Sequence, residues 1–299
     1  MSHAADTVRP SIVVGADGSV ASERAVAWAA GEAVAAAVPL CIVGVWHLPV
    51  LVGAAAMGSA YIDPADLRAA THTIVDRAKV TAHDAISGAA LQIDTIVVEG
   101  GGAEQLLGAS AGADMLVVGS RGRGGFASLV LGSTAMSCAH HSKVPVTVVG
   151  IDPPAPPFGD VVVGVDDSVG GRAALRWAAQ EAARHHVRLR VVHGWDLTFA
   201  GFDTIGLPDP LDDAAAIARE RAAIEQLVAD ELGLDGGLSE LDVVAAPISA
   251  AELLLREAKD ASMIVVGSRG RGGFVGLLLG SVGQHCLHHS VCPVVIVPT

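Results

Sequence analysis

Short apolar runs alternate with longer, alanine-rich stretches along the first half of the chain. The apolar runs predict five strands, at Ser11–Asp17, Leu40–Trp46, Leu91–Val98, Met115–Gly119 and Val144–Val149. The stretches between them predict four helices, over Ser19 to about Ala37, Asp63-Pro64 to about Ser87, Ala103–Ala111, and up to about His141. Strands that alternate with helices indicate a parallel sheet with right-handed crossovers and helices on both faces.

The second half of the chain repeats the first. VVGVDDS at Val162–Ser168 matches VVGADGS at Val13–Ser19, an offset of 149 residues. HHSVCPVVIV at His288–Val297 matches HHSKVPVTVV at His140–Val149, an offset of 148 residues. A register that drifts by one residue over a whole half indicates duplication of one domain.

A proline-rich segment joins the two copies. IDPPAPPFG at 151–159 holds four prolines, which predicts a semi-rigid spacer. We therefore expect one domain at 1–150 and a second at 160–299. Two copies of one fold usually pack as a pseudo-dimer, with the final strand of each as the natural place for edge pairing, so we expect an intramolecular pseudo-dimer or a homodimer.

A glycine-rich loop follows the fourth strand of each half. MLVVGSRGRGGFASLVLGST at Met115–Thr134 returns as MIVVGSRGRGGFVGLLLGSV at Met263–Val282. The spacing GxxG, nine residues, Gly-Ser is met in both copies, by Gly119, Gly122, Gly132 and Ser133 and by Gly267, Gly270, Gly280 and Ser281. Glycines adopt backbone angles closed to other residues and turn amide groups toward an anion. The Gly-Ser step would open a helix whose positive end faces phosphate oxygens.

A simple tight turn and the common phosphate-binding motifs account less well for the loop. A glycine-rich segment can be only a tight turn, but two copies, each behind an apolar strand, favour a ligand loop. No GxxxxGK[ST] motif occurs. A Rossmann dinucleotide fingerprint follows the first strand of its domain, whereas these glycines follow a late one.

The duplicated loop resembles the ATP-binding signature of the universal stress protein family, in the tandem form of mycobacteria and related bacteria. The resemblance covers nearly the whole chain. It implies two Rossmann-like α/β domains of the adenine nucleotide alpha hydrolase type, each a five-stranded parallel sheet with helices on both faces. It implies one ATP per domain, two per chain, and is compatible with Mg²⁺ beside the phosphates.

The candidate ligand-binding residues form two equivalent sets. In the first half they are Gly15, Asp17, Val43, Gly119, Ser120, Arg121, Gly122, Arg123, Gly124, Gly125, Gly132, Ser133 and Thr134. In the second half they are Gly164, Asp166, Val192, Gly267, Ser268, Arg269, Gly270, Arg271, Gly272, Gly273, Gly280, Ser281 and Val282.

The family resemblance gives roles to residues outside the loop. Asp17 and Asp166 would hydrogen-bond the base or ribose, although both could instead be turn acids beside a helix N-cap. The backbone of the second strand, at about Val43 and Val192, would hold adenine. Ser133 and Ser281 would cap a helix or contact phosphate, with phosphoserine as the alternative.

One departure from the family pattern concerns charge. The residues before each Gly-Ser are small or apolar, where relatives often carry a basic residue. The negative charge of the phosphates must then be offset by loop arginines or by Mg²⁺. The candidates are Arg121, Arg123, Arg269 and Arg271.

Composition narrows the class of protein. Hydrophobic residues make up 51% and aromatics 3%, so the core should consist of Val, Ile, Leu and Ala. A net charge of −13 argues against nucleic-acid binding and against attraction to anionic membranes.

The N-terminal MSHAADTVRP has no apolar signal region, so we expect a cytoplasmic protein. Pro39 and Pro49 interrupt the uncharged stretch Ala33–Ile62, so no lipid-spanning helix is expected there.

The cysteines and histidines give no clear catalytic or metal motif. Four cysteines show no CxxC spacing, and we expect reduced, mostly buried thiols. His140-His141 and His288-His289 fall at predicted helix ends, where cations are stabilising, and metal binding is the alternative for them. We predict no catalytic residue and no metal site.

The resulting hypothesis is an ATP-binding regulator of stress response or growth adaptation. Ligand occupancy would order the glycine loops, and a protein partner or a dimer interface would read the ordered surface. Two alternatives stay open. One is a weak ATPase or nucleotidyl-transfer enzyme, and the other is a cyclic-AMP-binding module.

Overall fold

The structure is a computed structural model that describes residues 11–48, 63–122, 131–151, 159–195, 214–233, 238, 240–271 and 279–299. The chain divides into two compact units, Met1–Ile151 and Asp152–Thr299. The predicted linker lies outside the described residues except at its two ends.

The first unit is a parallel sheet covered by helices. Its strands are β1 (Ile12–Gly15), β2 (Leu40–Trp46), β3 (Ile93–Glu99), β4 (Met115–Gly119) and β5 (Val146–Val149). Its helices are α1 (Val20–Ala36), α2 (Pro64–Ala85), α3 (Gly102–Ala109) and α4 (Ser133–His141). The strands pair in the order β3-β2-β1-β4-β5, and every pair is parallel.

The second unit repeats this arrangement. Its strands are β6 (Val161–Gly164), β7 (Leu189–Gly194), β8 (Leu241–Ala246), β9 (Met263–Gly267) and β10 (Val294–Val297). Its helices are α5 (Val169–His185), α6 (Ala214–Leu232), α7 (Ala250–Glu257) and α8 (Ser281–His289). The strand order is β8-β7-β6-β9-β10, again parallel throughout. The predicted fold class is confirmed for both halves.

The strand order sets the faces that the helices cover. From β1 the chain moves outward through β2 to β3 and then returns to β4 on the opposite side of β1. Right-handed crossovers therefore place α1 and α2 on one face of the sheet and α3 and α4 on the other. The helix pairs that contact each other, α1 with α2 and α3 with α4, agree with this.

The core is built from small and branched aliphatic side chains, as the composition predicts. Ala25, Ala29 and Ala33 of α1 are fully buried, and their spacing of four residues forms one face of the helix. Alanine lets this helix lie close to the valine-rich strands beneath it. Val13 and Val14, which point to opposite faces of the sheet, are both buried, as expected of a strand covered on both sides.

The predicted element boundaries agree with the structure to within about two residues, and those of β2 and β4 agree fully. The α2 helix ends at Ala85, before the predicted Ser87, because Ser87 adopts the left-handed conformation with φ 48°. The start of this helix is capped as expected, since the Asp63 carboxylate accepts from the amide of Ala65 at 2.8 Å. Among the described residues, no helix is both long and apolar enough to cross a membrane.

Candidate functional site

Each sheet has one point, between β1 and β4 in the first unit, from which the crossover connections run to opposite sides. β1 pairs with β2 on one side and with β4 on the other, and the chain leaves β1 and β4 toward opposite faces. Such a switch point leaves a crevice beyond the carboxyl ends of the strands, where open α/β sheets bind ligands. Asp17 follows β1 and the glycine loop follows β4, so both reach this crevice. β6 and β9 bring Asp166 and the second loop together in the same way.

The first glycine of each loop is required by a close approach of two backbones. A Cβ atom on Gly119 would lie 2.7 Å from the carbonyl carbon of Ala21, in the first turn of α1. On Gly267 it would lie 2.5 Å from the carbonyl carbon of Gly170. The sequence predicts unusual backbone angles here, but within the described part of the chain neither these glycines nor Gly122 has a positive φ. Glycine is required at Gly119 and Gly267 because a Cβ atom would collide with the backbone of the neighbouring helix.

The two aspartates hold the start of the glycine loop. Asp166 Oδ2 accepts a hydrogen bond from the amide of Arg271 at 2.8 Å. In the first copy, a Cβ atom on Gly122 would lie 2.6 Å from Asp17 Oδ2, so this carboxylate also faces the loop backbone. Asp17 Oδ1 accepts from the amide of Ser19 at 2.9 Å, which is the turn-acid role proposed as the alternative. The aspartates thus join the first strand of each unit to its loop.

Backbone hydrogen bonds bring the two ends of each loop together. The amide of Ser120 donates to Val149 at 2.7 Å, and the carbonyl of Ser120 accepts from the amide of Gly132 at 2.7 Å. The second copy repeats both bonds at 2.8 Å, through Ser268. Arg123, Gly124 and Gly125, with Gly272 and Gly273, lie outside the described residues. The Gly-Ser step is therefore fixed beside the first residues of the loop.

The Gly-Ser step opens a helix in both copies. α4 begins at Ser133 and α8 at Ser281, with Gly132 and Gly280 as N-caps that supply no side-chain hydrogen bond. The amides of the first helical turn are therefore not capped by these residues, and amides in this position favour an anion. A Cβ atom on Gly132 would meet its nearest described neighbour at 3.4 Å, an ordinary contact. Packing among the described residues does not require glycine there.

The loop arginines have different surroundings in the two copies. Arg121 is partly buried, and its Nε atom is buried without a hydrogen-bond partner among the described residues. Arg269 is exposed and donates to the hydroxyl of Thr299 at 3.2 Å. The guanidinium of Arg271 lies 3.5 Å from the carboxylate of Asp167. An anion in the first crevice would thus find a guanidinium N–H that no other described residue satisfies.

The predicted adenine contacts at Val43 and Val192 lie deeper than expected. Val43 is buried, and its carbonyl already accepts from the amide of Ala16 at 2.9 Å. Pairing of β2 with β1 stops at Val43, whereas its pairing with β3 continues to Trp46. Beyond Val43, the side of β2 that faces β1 therefore extends past its partner into the crevice, and Val45 is the next residue with the same orientation. In the same way, the carbonyl of Val192 accepts a hydrogen bond from the amide of Val165 at 3.0 Å.

The two sites also differ in charge and in hydroxyl groups. Gly18, with φ 73°, follows Asp17, whereas Asp167 stands at the equivalent place in the second copy. A hydrogen bond from Arg172 is the main reason that the pKa of Asp167 is lowered. The exposed Thr134 of α4 corresponds to Val282 of α8. The second site therefore has one more carboxylate and one hydroxyl fewer.

The helix-end cysteines and histidines lie away from the crevice. Cys138 and Cys286 occupy equivalent positions in α4 and α8, a match that the repeat itself contains. Both are buried, and burial raises the pKa of each thiol to about 12, so they are poor nucleophiles. His140-His141 and His288-His289 close α4 and α8, as predicted.

Comparison with known proteins agrees with the duplicated architecture. The Universal stress protein family matches residues 9–150 and 157–298. A universal stress protein of Mycolicibacterium smegmatis is 33% identical over 290 residues, covering 96% of each chain. The chain belongs to the universal stress protein family. A universal stress protein of Mycobacterium tuberculosis is also 33% identical, over 95% of this chain and 94% of that one.

A solved structure supports the fold of this universal stress protein. The crystal structure of a universal stress protein from Archaeoglobus fulgidus superposes with a TM-score of 0.68 at 19% identity. The match covers 96% of this chain and 98% of that chain. The structural match therefore supports the fold, while the predicted family is confirmed by the two family matches and the sequence relatives.

Proposed function

We propose that each half of the chain binds one ATP molecule at its switch-point crevice. The observation that carries the proposal is the arrangement at Gly132 and Gly280, repeated in both copies. There a glycine N-cap without steric necessity presents the first turn of a helix beside the closed ends of a glycine loop. Phosphate oxygens are the ligand groups that such uncapped amides favour.

The remaining parts of an adenine nucleotide fit the rest of the crevice. The triphosphate would lie at the loop and the start of α4, where the Nε atom of Arg121 has no hydrogen-bond partner among the described residues. The backbone of β2 beyond Val43 does not pair with β1 and would offer hydrogen-bonding groups to the base. Asp17 lies between these two regions and would contact the ribose while it holds the loop.

Mg²⁺ would assist the first site and matter more for the second. Few basic side chains are available near either Gly-Ser step, so a divalent cation would offset part of the phosphate charge. At the second site Arg271 faces Asp167, which leaves less of its charge for a ligand.

The proposed role is regulation through site occupancy. Bound nucleotide would fix the glycine loop between its tied ends, and a protein partner would recognise that ordered surface. Membership of the universal stress protein family supports a role in stress response or growth adaptation.

The test is to denature the freshly purified chain and to identify and count the released nucleotide by chromatography and mass spectrometry. We expect about two ATP per chain. Gly132→Ala should remove one, and the double variant with Gly280→Ala should remove both, because the added methyl groups would crowd the amides that are proposed to bind phosphate. Gly31→Ala is the control, since its Cβ would meet no atom of the described residues within 4 Å.

The same experiment separates the alternatives. ADP in place of ATP, with phosphate release that the double variant abolishes, would favour a slow ATPase. Cyclic AMP, bound more tightly than ATP in a competition titration, would favour a cyclic-nucleotide module. If nothing is released and added ATP does not bind, the loops are structural and the proposal is wrong.

A further inference from the structure

Two histidines lie side by side on the last turns of α8. His285 and His289 are four residues apart, and residues with this spacing share one face of a helix. Their ring centroids are 4.4 Å apart with an interplanar angle of 37°. Both residues are exposed, so the two imidazoles face solvent together.

Paired imidazoles at this spacing are suited to a metal ion. Two histidines four residues apart on one helix face are the zinc ligands of the HExxH motif. Neutral imidazole prefers Zn²⁺, Cu²⁺ and Ni²⁺ among the divalent ions. We propose that His285 and His289 form a surface site for a divalent transition-metal ion, with water in the remaining coordination positions.

The position of the pair in the helix adds to the attraction for a cation. His289 is the last residue of α8, where carbonyl groups without helical partners and the helix dipole give a partial negative charge. The net charge of −13 raises the concentration of cations near the whole surface. The thiol nearest in sequence does not compete, because Cys286 is buried.

The first copy of the domain lacks one member of the pair. Ser137 of α4 corresponds to His285, and His141 corresponds to His289. His141 Nδ1 lies 2.9 Å from the carbonyl oxygen of Ser137, one turn earlier. The duplication therefore contains its own control, and the site belongs to the second copy only. It does not depend on nucleotide binding at the crevice.

The test uses the untagged full-length chain, stripped with a chelator that is then removed, and titration calorimetry with Zn²⁺. We expect one zinc ion per chain. His285→Ser, which copies the side chain that the first domain carries at this place, should lower the affinity at least about tenfold. Ser137→His should create a second pair and raise the number of bound ions to two. All variants keep both glycine loops, so a change in zinc binding does not report on the nucleotide sites.

Other results would overturn the site. The chain has 12 histidines, and binding by single histidines would be nearly the same in wild type and His285→Ser. Equal affinity of these two proteins would therefore place the zinc elsewhere, and no binding to wild type would refute the site directly. If Ser137→His adds no ion, two histidines four residues apart at a helix end do not suffice to bind zinc, which contradicts the argument for the site. Circular dichroism of each variant shows whether the helices are retained.

Discussion

Asp167 gives the second crevice a negative charge that the first crevice lacks. Its carboxylate lies 3.5 Å from the guanidinium of Arg271 and competes with any phosphate for that group. Asp167→Asn should therefore raise the ATP affinity of the second site about two- to fivefold, the size of effect typical of exposed charges. The measurement is an ATP titration in a Gly132→Ala background, which removes the first site.

The salt dependence checks the cause of this effect. If repulsion between carboxylate and phosphate is responsible, the gain should shrink as ionic strength rises, because exposed charges are screened. Weaker binding by Asp167→Asn would show instead that the carboxylate positions Arg271 for the ligand.

The glycines of the loop should separate into structural and ligand-binding positions. Gly119→Ala forces a methyl group to within 2.7 Å of the α1 backbone and should destabilise the first unit by about 1–3 kcal/mol. The methyl group of Gly132→Ala would make only an ordinary van der Waals contact. The melting temperature of this variant should therefore stay much closer to that of wild type, while its ATP binding is lost. Thermal unfolding followed by circular dichroism, in the absence of nucleotide, measures the difference. Equal destabilisation by both changes would contradict this division.

The sequence identifies the residues around the crevice but not all of their roles. The GxxG spacing locates Gly119, yet the reason for glycine is the distance to Ala21, which depends on how α1 packs against β4. Likewise Val43 lies in the predicted strand, but the point at which β1 stops decides which residues of β2 reach the crevice. Both facts are tertiary, so no local pattern contains them.

Ion pairs between the first two helices of each unit have opposite polarity in the two copies. In the first unit Glu23 of α1 pairs with Arg77 of α2 at 2.9 Å. In the second unit Arg172 of α5, which corresponds to Glu23, pairs with Glu231 of α6 at 2.6 Å. The duplicated helices therefore carry charges that match their own partner helix.

Glu231→Gln should lower the melting temperature of the second unit in a pH-dependent way. A hydrogen bond from Arg172 is the main cause that lowers the pKa of Glu231 from its ordinary value of 4.5. The folded state binds this proton less tightly than the unfolded state, so the pair is fully stabilising above pH 4.5 and loses its effect as the pH falls through the lowered pKa. The difference between wild type and Glu231→Gln should thus be largest near pH 7 and should shrink below pH 4.5.

A second glutamate of the same helix supplies the control for this experiment. Glu225 pairs with Arg221 one turn away on α6, and both side chains are about half exposed. Glu225→Gln should change the melting temperature much less, because exposed pairs contribute little. If both variants lower the melting temperature by similar amounts, the ion pair between α5 and α6 is not the reason that Glu231 stabilises the second unit.

The elements themselves follow from the sequence to differing degrees. The predicted bounds of β2 and β4 agree with the structure, because both strands are strongly apolar and end at clear breaks. The pattern places the start of β3 two residues too early, and β3 is an edge strand with exposed residues such as Ile96. Where a strand is only partly buried, the hydrophobic pattern that locates it is weak.

The strand order of each unit could not be read from the alternation of strands and helices. The sequence of each strand–helix–strand crossover has the same local pattern. Only the packed sheet shows that β4 lies on the opposite side of β1 from β2 and β3. The duplication, in contrast, is evident from sequence offsets alone, and it extends to the crevice, where loop closure recurs with almost equal distances.

The final strand of each unit leads to a prediction about assembly. β5 pairs with β4 on one side, and no other strand of the described first unit pairs with it on the other. Its four residues Val146–Val149 are all buried in the full chain, and an unpaired apolar edge tends to recruit another strand. The isolated half 1–155 should therefore form a homodimer through β5, and the full chain serves as the reference. Sedimentation equilibrium of both proteins measures this, and a monomeric half-chain with an intact circular dichroism spectrum would contradict pairing through the final strand.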